Sequence, residues 1–476
     1  MRKTKIVCTL GPASRDAATI RAMLKAGMNV ARLNFSHSNH ESHAETIDRF
    51  RQVRDELGVA AAVMLDTKGP EIRIGKLSGG EAQLVGGAQI VLTTQNVLGS
   101  AERVSITYAD LPGQIEPGAR LLLNDGRLIL EVAQVDKTDI ICQVVTGGKL
   151  TDRKGINIPG SRLAMPFLSE ADKEDLLFGI AHNVDFIAAS FVRRRDDLVQ
   201  LRKFLDFHGG HSIRIISKIE NLEGIENFDE ILALSDGIMV ARGDMGVEVE
   251  YEKLPGLQKR FIKACYSSGK MAITATQMLE SMVSSPDPTR AEITDVANAV
   301  FDGTSAIMLS GESAAGKYPV RSVEVMAKIA LQAEKDAFML NAYKDLGSLV
   351  DTSSTTSAIC DAACTTARDI AARAIIAVTQ SGSTARRMSK FRPETPIVAA
   401  TPDEKTFHQL ALSWGVYPVK AIVQNSTDTL FTHAVDCAKQ IDVVQDGDLV
   451  VISGGVPLGT RGTTNSLKVQ TVGEVS

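Results

Sequence analysis

Eight short apolar runs recur through the first two-thirds of the chain, each closing on polar or glycine-containing residues and followed by a segment of helical period. They are KIVCTLGP (5–12), MNVARLNFSH (28–37), AAVMLDTKGP (61–70), VDFIAASFV (184–192), IRIISKIE (213–220), GIMVARGDMG (237–246), MAITATQML (271–279) and SAIMLSGES (305–313). Near-continuous apolar strands alternating with helices indicate a parallel sheet covered on both faces. Eight such units predict a closed (β/α)8 TIM barrel.

One link breaks the rhythm. Between the third and fourth runs the chain carries short alternating stretches, "AQIVLTT", "ARLLLNDGRLILEVAQV" and "DIICQVV", with glycine turns. This alternation predicts strands with one buried face, and "NDGR" reads as a two-residue Asp-Gly hairpin. Residues 71–166 are therefore expected to be an inserted β-barrel lid domain after strand 3. The barrel resumes near "MPFLSEADKEDL", where Ser169 followed by Asp172 marks a helix start. Past residue 345 the runs "AIIAVTQSGSTARRM", "PIVAAT", "DLVVISGG" and "SLKVQTV" predict a separate C-terminal α/β domain, 346–476. It is entered through the polar stretch 343–358 and a capped helix. The barrel is then 1–70 plus 167–345.

Composition narrows the class. At 476 residues, 44% hydrophobic and 23% charged, the chain reads as a multidomain globular protein. No stretch of about 18 apolar residues suggests a membrane span, and the N-terminus reads as a first strand without a signal peptide. The net charge of −5 excludes a general attraction to nucleic acid or anionic membranes, so anionic ligands need local cationic clusters. Six scattered cysteines suit reduced thiols in a cytoplasmic protein. Cys360 and Cys364, one helical turn apart, read as helix packing rather than a zinc site.

In such barrels chemistry lies at the C-terminal ends of the strands. Those ends carry Arg32, Asn34, Ser36 and His37; Asp66, Thr67 and Lys68, with Arg73 just beyond; Lys218 and Glu220; Arg242 and Asp244; Thr274 and Thr276. Residues i and i+2 of a strand share a face, so Lys218 and Glu220 point the same way. Any one pair could be a buried salt bridge, but buried pairs stabilise poorly, and so many in one mouth point to a site. Hard carboxylates such as Glu220 and Asp244 suit Mg2+ (or Mn2+), and the cations suit phosphate or carboxylate groups. Gly243 and Asp244 at a helix start could offer backbone N–H groups to a small carboxylate. The set suggests metal-assisted chemistry on a phosphorylated organic acid. Lys218 could instead form a Schiff base, but a lysine two residues from a metal carboxylate more naturally stabilises charge. His37, His40 and His43 read as solvated or phosphate-contacting, and "RRRDD" (193–197) as an exposed helix start. "VTQSGSTARR" (378–387) follows a strand and opens a helix, so Ser381, Gly382, Ser383 and Thr384, with Arg386 and Arg387 close by, could hold an anion.

The motifs "RLNFSH", "LDTKGPEIR", "ISKIEN", "MVARGDMGVE", "ITATQMLESM", "PTRAE" and "MLSGESAAGKYP" together closely resemble the pyruvate kinase family, in its order and over essentially the whole chain. The resemblance implies phosphoryl transfer from phosphoenolpyruvate to ADP, giving pyruvate and ATP. It implies Mg2+ on Glu220 and Asp244, and K+ on Asn34, Ser36, Asp66 and Thr67. Lys218 would neutralise the phosphoryl group in flight, and Arg32 and Arg73 would bind phosphate. Gly243, Asp244 and Thr276 would hold the substrate carboxylate, with Thr276 near the proton delivered to the enolate. Asn34, His37, Arg73 and Lys154 would face the nucleotide. A phosphorylated allosteric effector would sit on Thr379, Ser381, Gly382, Ser383, Thr384, Gly462 and Thr463. The family is usually a homotetramer. Three positions depart from its common residues: Ser38 for glycine, and Asn124 and Ser305 for aspartate; Glu71 resembles the K+-dependent members. Two rival readings stand: another barrel enzyme that stabilises enolates with Mg2+, and a non-catalytic metabolite sensor. The identity of the effector stays open.

Overall fold

The computed structural model describes residues 1–124, 126–343, 353–458 and 464–474. Eight parallel strands close into a barrel: β1 (Lys5–Thr9), β2 (Val30–Asn34), β3 (Ala62–Asp66), β4 (Phe186–Ala189), β5 (Arg214–Ile219), β6 (Gly237–Ala241), β7 (Met271–Ala275) and β8 (Ala306–Leu309), each paired with its neighbours and β1 with β8. Each lies within one of the eight apolar runs. Their continuous hydrophobicity follows from burial on both faces. Val7, Val30, Met64, Phe186, Ile216, Met239, Ile273 and Met308 fill the interior, while Cys8, Leu33, Leu65, Ile187, Ile219 and Val240 pack outward under the helices. Leu412, from the C-terminal part of the chain, joins the interior cluster.

Between β3 and β4 the chain builds a seven-stranded sheet, beginning with Ile72–Arg73 and ordered next to Gly155–Asn157, Arg120–Leu123, Leu128–Val135, Asp139–Thr146, Gln89–Thr93 and Arg103–Ser105. A two-stranded ribbon pairs Glu81–Leu84 with Gly148–Thr151. The sheet's two ends meet at an Ile74–Ile106 bridge, with the Thr107 amide on the Arg73 carbonyl (2.9 Å) and the Gly75 amide on that of Ser105 (2.7 Å). That seam needs glycine: a Cβ at Gly75 would stand 2.0 Å from Ser105 Oγ. At the expected hairpin the Arg127 amide donates to the Asn124 carbonyl (3.2 Å); Asp125 lies outside the described residues.

The return to the barrel begins at Ser169, whose side chain forms a capping box with Asp172 for the helix Glu170–Ala181. "RRRDD" does start a helix, Arg195–Phe207, with Arg194, Arg195 and Asp196 exposed, but its two outer residues are not. Arg193 and Asp197 are buried and paired (3.2 Å), and Arg193 Nη1 also donates to the carbonyls of Leu163 (3.3 Å) and Met165 (3.0 Å), fastening the returning segment. Removing one partner leaves a buried charge uncompensated, so Asp197→Ala should lower the unfolding free energy by about 3–5 kcal/mol. Urea denaturation reads this directly; a change under about 1 kcal/mol would count against the clamp.

The C-terminal sheet runs in the order β11 (Val416–Lys420), β10 (Ile397–Thr401), β9 (Ala374–Val378), β12 (Leu449–Gly455) and β13 (Thr464–Thr471), the last pair antiparallel. Its entry helix Thr355–Asp369 is capped by Ser354, and Cys360 and Cys364 pack into its core. It meets the barrel at the N-terminal ends of the strands: Lys5 Nζ donates to the Val416 carbonyl (2.6 Å), and Gln409 Nε2 to those of Asp185 (3.1 Å) and Ser212 (2.8 Å).

Candidate active site

The strand-end residues assemble around one lysine. Lys218, on β5, places Nζ 2.9 Å from Glu220 Oε1, 3.1 Å from Asp66 Oδ1 and 2.8 Å from Ser190 Oγ. The alternation that aims Lys218 inward sends Ser217 outward, to the hydroxyl of Ser235 (2.6 Å). Asp66 is shared: Arg32 Nε meets its Oδ2 at 2.5 Å, and Arg32 Nη1 donates to Thr9 Oγ1 at 2.8 Å. All four charged groups are buried.

The electrostatics follow from that burial. Desolvation alone would lower the Lys218 ammonium pKa, but the carboxylates of Asp66 and Glu220 outweigh it and hold the group cationic. Burial pushes Glu220 up to about 7; the Lys218 charge opposes this, and the negative charge of Asp244 adds to it. Glu220 also takes the Phe191 amide on Oε2 (2.6 Å), with Phe191 held at φ +54°. A buried carboxylate facing a second carboxylate is short of positive charge. Two hard oxygen donors with that deficit fit a divalent ion that keeps waters and substrate oxygens as its other ligands. Among the described residues no cluster of three or more His, Cys, Asp or Glu side chains offers a denser protein cage.

Across the rim, the seven-residue helix Arg242–Glu248 carries Gly243 and Asp244. The Gly243 amide donates to Thr276 Oγ1 (2.8 Å), and that hydroxyl lies 2.6 Å from the Ala275 carbonyl. Thr276 and Gln277 are both left-handed, at φ +68° and +54°. This turn takes Thr276 out of the alternation of β7, whereas Thr274, on the outward face with Ala272, is not in the mouth: it is buried, bonded to Thr304 Oγ1 (3.0 Å). Arg242 is not a mouth cation either. Its Nη2 donates to the Thr276 carbonyl (2.6 Å), Nε to that of Ala275 (3.2 Å), and Nη1 pairs with Asp295 (2.8 Å), bracing the strained turn.

Beside these groups a cavity of about 410 Å³ is lined among others by His37, Glu71, Arg73, Lys154, Phe191 and Asp244, whereas Arg32, Asp66, Lys218, Glu220, Gly243 and Thr276 are not on its wall. Arg73 is held by both oxygens of Glu71, at 2.5 and 2.8 Å. On the β2–β3 side, Asn34 lies in register with Asp66, and its Oδ1 accepts from the Ser36 amide (3.2 Å). Thr67 Oγ1 accepts from the Ser190 amide (3.1 Å), and the Thr67 carbonyl from Ser190 Oγ (2.7 Å). Ser190 thus touches Lys218, Asp66 and Thr67, yet a single serine inside the apolar run of β4 gave no signal. Lys68 turns away to Asp175 (2.9 Å), which also meets His40 (2.6 Å). His43 is buried, stacked on Phe35 at 4.2 Å, rather than solvated. Ser38 sits at φ +68°, a conformation costing about 1–2 kcal/mol without glycine. Part of that is offset by glycine's larger entropy loss, so Ser38→Gly should raise Tm by about 1–2 °C in a calorimetric scan.

In the C-terminal domain Thr379, Ser381, Ser383 and Thr384 line a second cavity of about 400 Å³, with Arg387 among their neighbours. Gly382 caps the helix Ser383–Ser389 at φ +73°. Arg386 is not on that cavity: its Nη2 returns to the Ser381 carbonyl (2.5 Å). Gly462 and Thr463 lie outside the described residues. Among the described residues no helix is long and apolar enough to cross a membrane.

Residues 1–323 match the family described as pyruvate kinase, barrel domain, and residues 357–470 match pyruvate kinase, alpha/beta domain. A protein of Staphylococcus haemolyticus (strain JCSC1435) named pyruvate kinase is 48% identical over 476 residues, covering 100% of this chain and 81% of the relative. The pyruvate kinase of Staphylococcus aureus (strain MRSA252) is likewise 48% identical over the same 476 residues and the same shares. That of Clostridium acetobutylicum is 46% identical over 475 residues, 99% of this chain and 100% of the relative. Profile matches to both of its parts and full-length identity at this level lead to one conclusion: the chain belongs to the pyruvate kinase family.

Proposed function

We propose that this chain transfers the phosphoryl group of phosphoenolpyruvate to ADP, giving pyruvate and ATP. The observation that carries this reading is the Lys218 ammonium fixed between the buried carboxylates of Asp66 and Glu220, next to a cavity that Phe191 and Asp244 share with the insert. Phosphoryl transfer needs positioning and charge neutralisation more than covalent participation. Lys218 supplies a cation locked at the rim, and Arg32 and Arg73 add guanidinium groups for phosphate oxygens. Glu220 and Asp244 would hold Mg2+ or Mn2+, whose chemistry there is to polarise phosphoryl and carboxylate oxygens. The substrate carboxylate would take the Gly243 amide from Thr276 Oγ1, freeing that hydroxyl to sit beside the enolate carbon; protonation of the enolate draws the transfer toward ATP. Asn34, Ser36, Asp66 and Thr67 would hold K+, with Asn34 and Asp66 already register neighbours. His37, Arg73 and Lys154 would face the nucleotide, and the insert would exclude water that could intercept the phosphoryl group. We assign 1–70 with 167–345 as catalytic barrel, 71–166 as lid and 346–476 as regulatory domain, in a cytoplasmic homotetramer. The cavity bearing Thr379, Ser381, Ser383, Thr384 and Arg387 would take a phosphorylated effector.

Purified protein given phosphoenolpyruvate, ADP, Mg2+ and K+ should release pyruvate and ATP in equal amounts. Cleavage of a 2-oxo acid without ADP, or binding without turnover, would replace this reading with one of its two rivals.

A further inference from the structure

Where the C-terminal domain meets the barrel end remote from the catalytic rim, a small cavity gathers donors that have nothing to donate to. Arg392, 4% exposed, directs Nη2 to the Gly303 carbonyl (2.7 Å), while its Nε and Nη1 are buried without a hydrogen bond. Its guanidinium carbon lies 4.6 Å from the Trp414 ring centre. Trp414 Nε1 and Ser413 Oγ are likewise buried and unbonded. All three residues line the same cavity, together with Ser305 from the barrel, whose Oγ is 3.5 Å from Arg392 Nη2. Arg386, Lys390 and Lys270 line it too, and among the described residues no acidic side chain does. The nearby carboxylate of Glu334 is committed to the amides of Lys3 and Thr4, at 2.6–3.0 Å. Burial pushes the Arg392 guanidinium down to about 10.

Orphaned buried donors cost roughly 1–3 kcal/mol each, more when charged, and a buried charge normally has a partner. The space available to the centre of a water-sized particle is about 10 Å³, enough for one water or one monatomic ion but not for a phosphate. A water accepts two hydrogen bonds and must place two protons of its own. Arg392 Nε, Arg392 Nη1 and Trp414 Nε1 can only donate, and the Arg392 guanidinium brings a positive charge to the cavity wall. An anion satisfies such a set by accepting alone, whereas a water would also have to send its two protons to the Ser413 and Ser305 hydroxyls.

We propose that this interdomain cavity binds a single halide-sized anion, chloride in the cell, which serves as counter-ion to Arg392 and joins the barrel to the C-terminal domain. The anion is a ligand of the folded chain, so it stabilises by mass action. In a thermal-unfolding series of the full chain, replacing sodium gluconate with sodium chloride at constant ionic strength should raise Tm by about 1–3 °C and saturate. Ser305→Asp places a fixed carboxylate beside Arg392; it should raise Tm in gluconate and abolish the chloride response. Crystals soaked in sodium bromide should show an anomalous peak between Arg392 and Trp414, a readout independent of any variant's folding. Equal Tm in the two salts, a chloride response that survives in Ser305→Asp, or bromide absent from the cavity would each overturn the assignment.

Discussion

Lys218→Met should lower kcat by about 10²-fold or more, the loss associated with one preorganised charge-stabilising donor. The residue makes three contacts through one nitrogen, to Glu220, Asp66 and Ser190, so its position is fixed before substrate arrives and no reorganisation is needed during transfer. Methionine keeps the apolar stem and removes only the charge. That also leaves Asp66 with Arg32 as its cationic partner and strips Glu220 of Lys218, which should destabilise the metal-free protein by about 3–5 kcal/mol. The two effects separate experimentally: kcat is compared well below the variant's Tm, with folding checked by circular dichroism. If Glu220 joins in holding a divalent ion, Mg2+ should restore stability to the variant more than to the parent, because it supplies the missing positive charge, without restoring kcat. A variant turning over within about threefold of the parent would remove Lys218 from the mechanism.

The distance between what the residues announced and what the fold does with them has local causes. Barrel strands are buried on both faces, so their hydrophobicity is continuous, and all eight stood out. Lys218 and Glu220 were legible because two charges at i and i+2 must emerge on one side of a strand. Thr274 and Thr276 have the same spacing but do not share a face, because the backbone turns left-handed at Thr276; no side-chain pattern encodes that reversal. Arg242 looked like a ligand cation and is a brace, since its reach lets it satisfy the carbonyls of the very turn that Thr276 creates. Ser190 was invisible for the opposite reason: a hydroxyl among apolar neighbours carries no charge signature, and its role depends on contacts with residues more than a hundred positions earlier. The 193–197 run was legible as a helix start, but not its buried ends, because exposed and clamped arginines are written alike; only the returning carbonyls of Leu163 and Met165 set Arg193 apart.

Asp244→Asn should weaken Mn2+ binding by at least about 100-fold, beyond the 10–100-fold typical of losing a residue that merely supports a ligand. Asparagine keeps the shape and one oxygen but removes the charge that a hard divalent ion requires. The corresponding change at Glu220 would be harder to read, since that carboxylate also anchors the Phe191 amide and Lys218. Asp244 lies instead at the rim, on the short helix Arg242–Glu248 and on the wall of the cavity. Its charge adds to the burial that raises Glu220 and also favours the Lys218 ammonium, so neutralising it relieves one repulsion and loses one attraction. The metal-free Tm of the variant therefore serves only as its own reference. What it should lose is the rise in Tm on adding Mn2+, along with most of its activity at low metal; part of that activity should return at high metal concentration. Titration calorimetry or the Mn2+ electron paramagnetic resonance signal gives the affinity without recourse to turnover. Unchanged Mn2+ affinity in this variant would mean that the two carboxylates do not share an ion, and the charge deficit at Glu220 would then need a different partner.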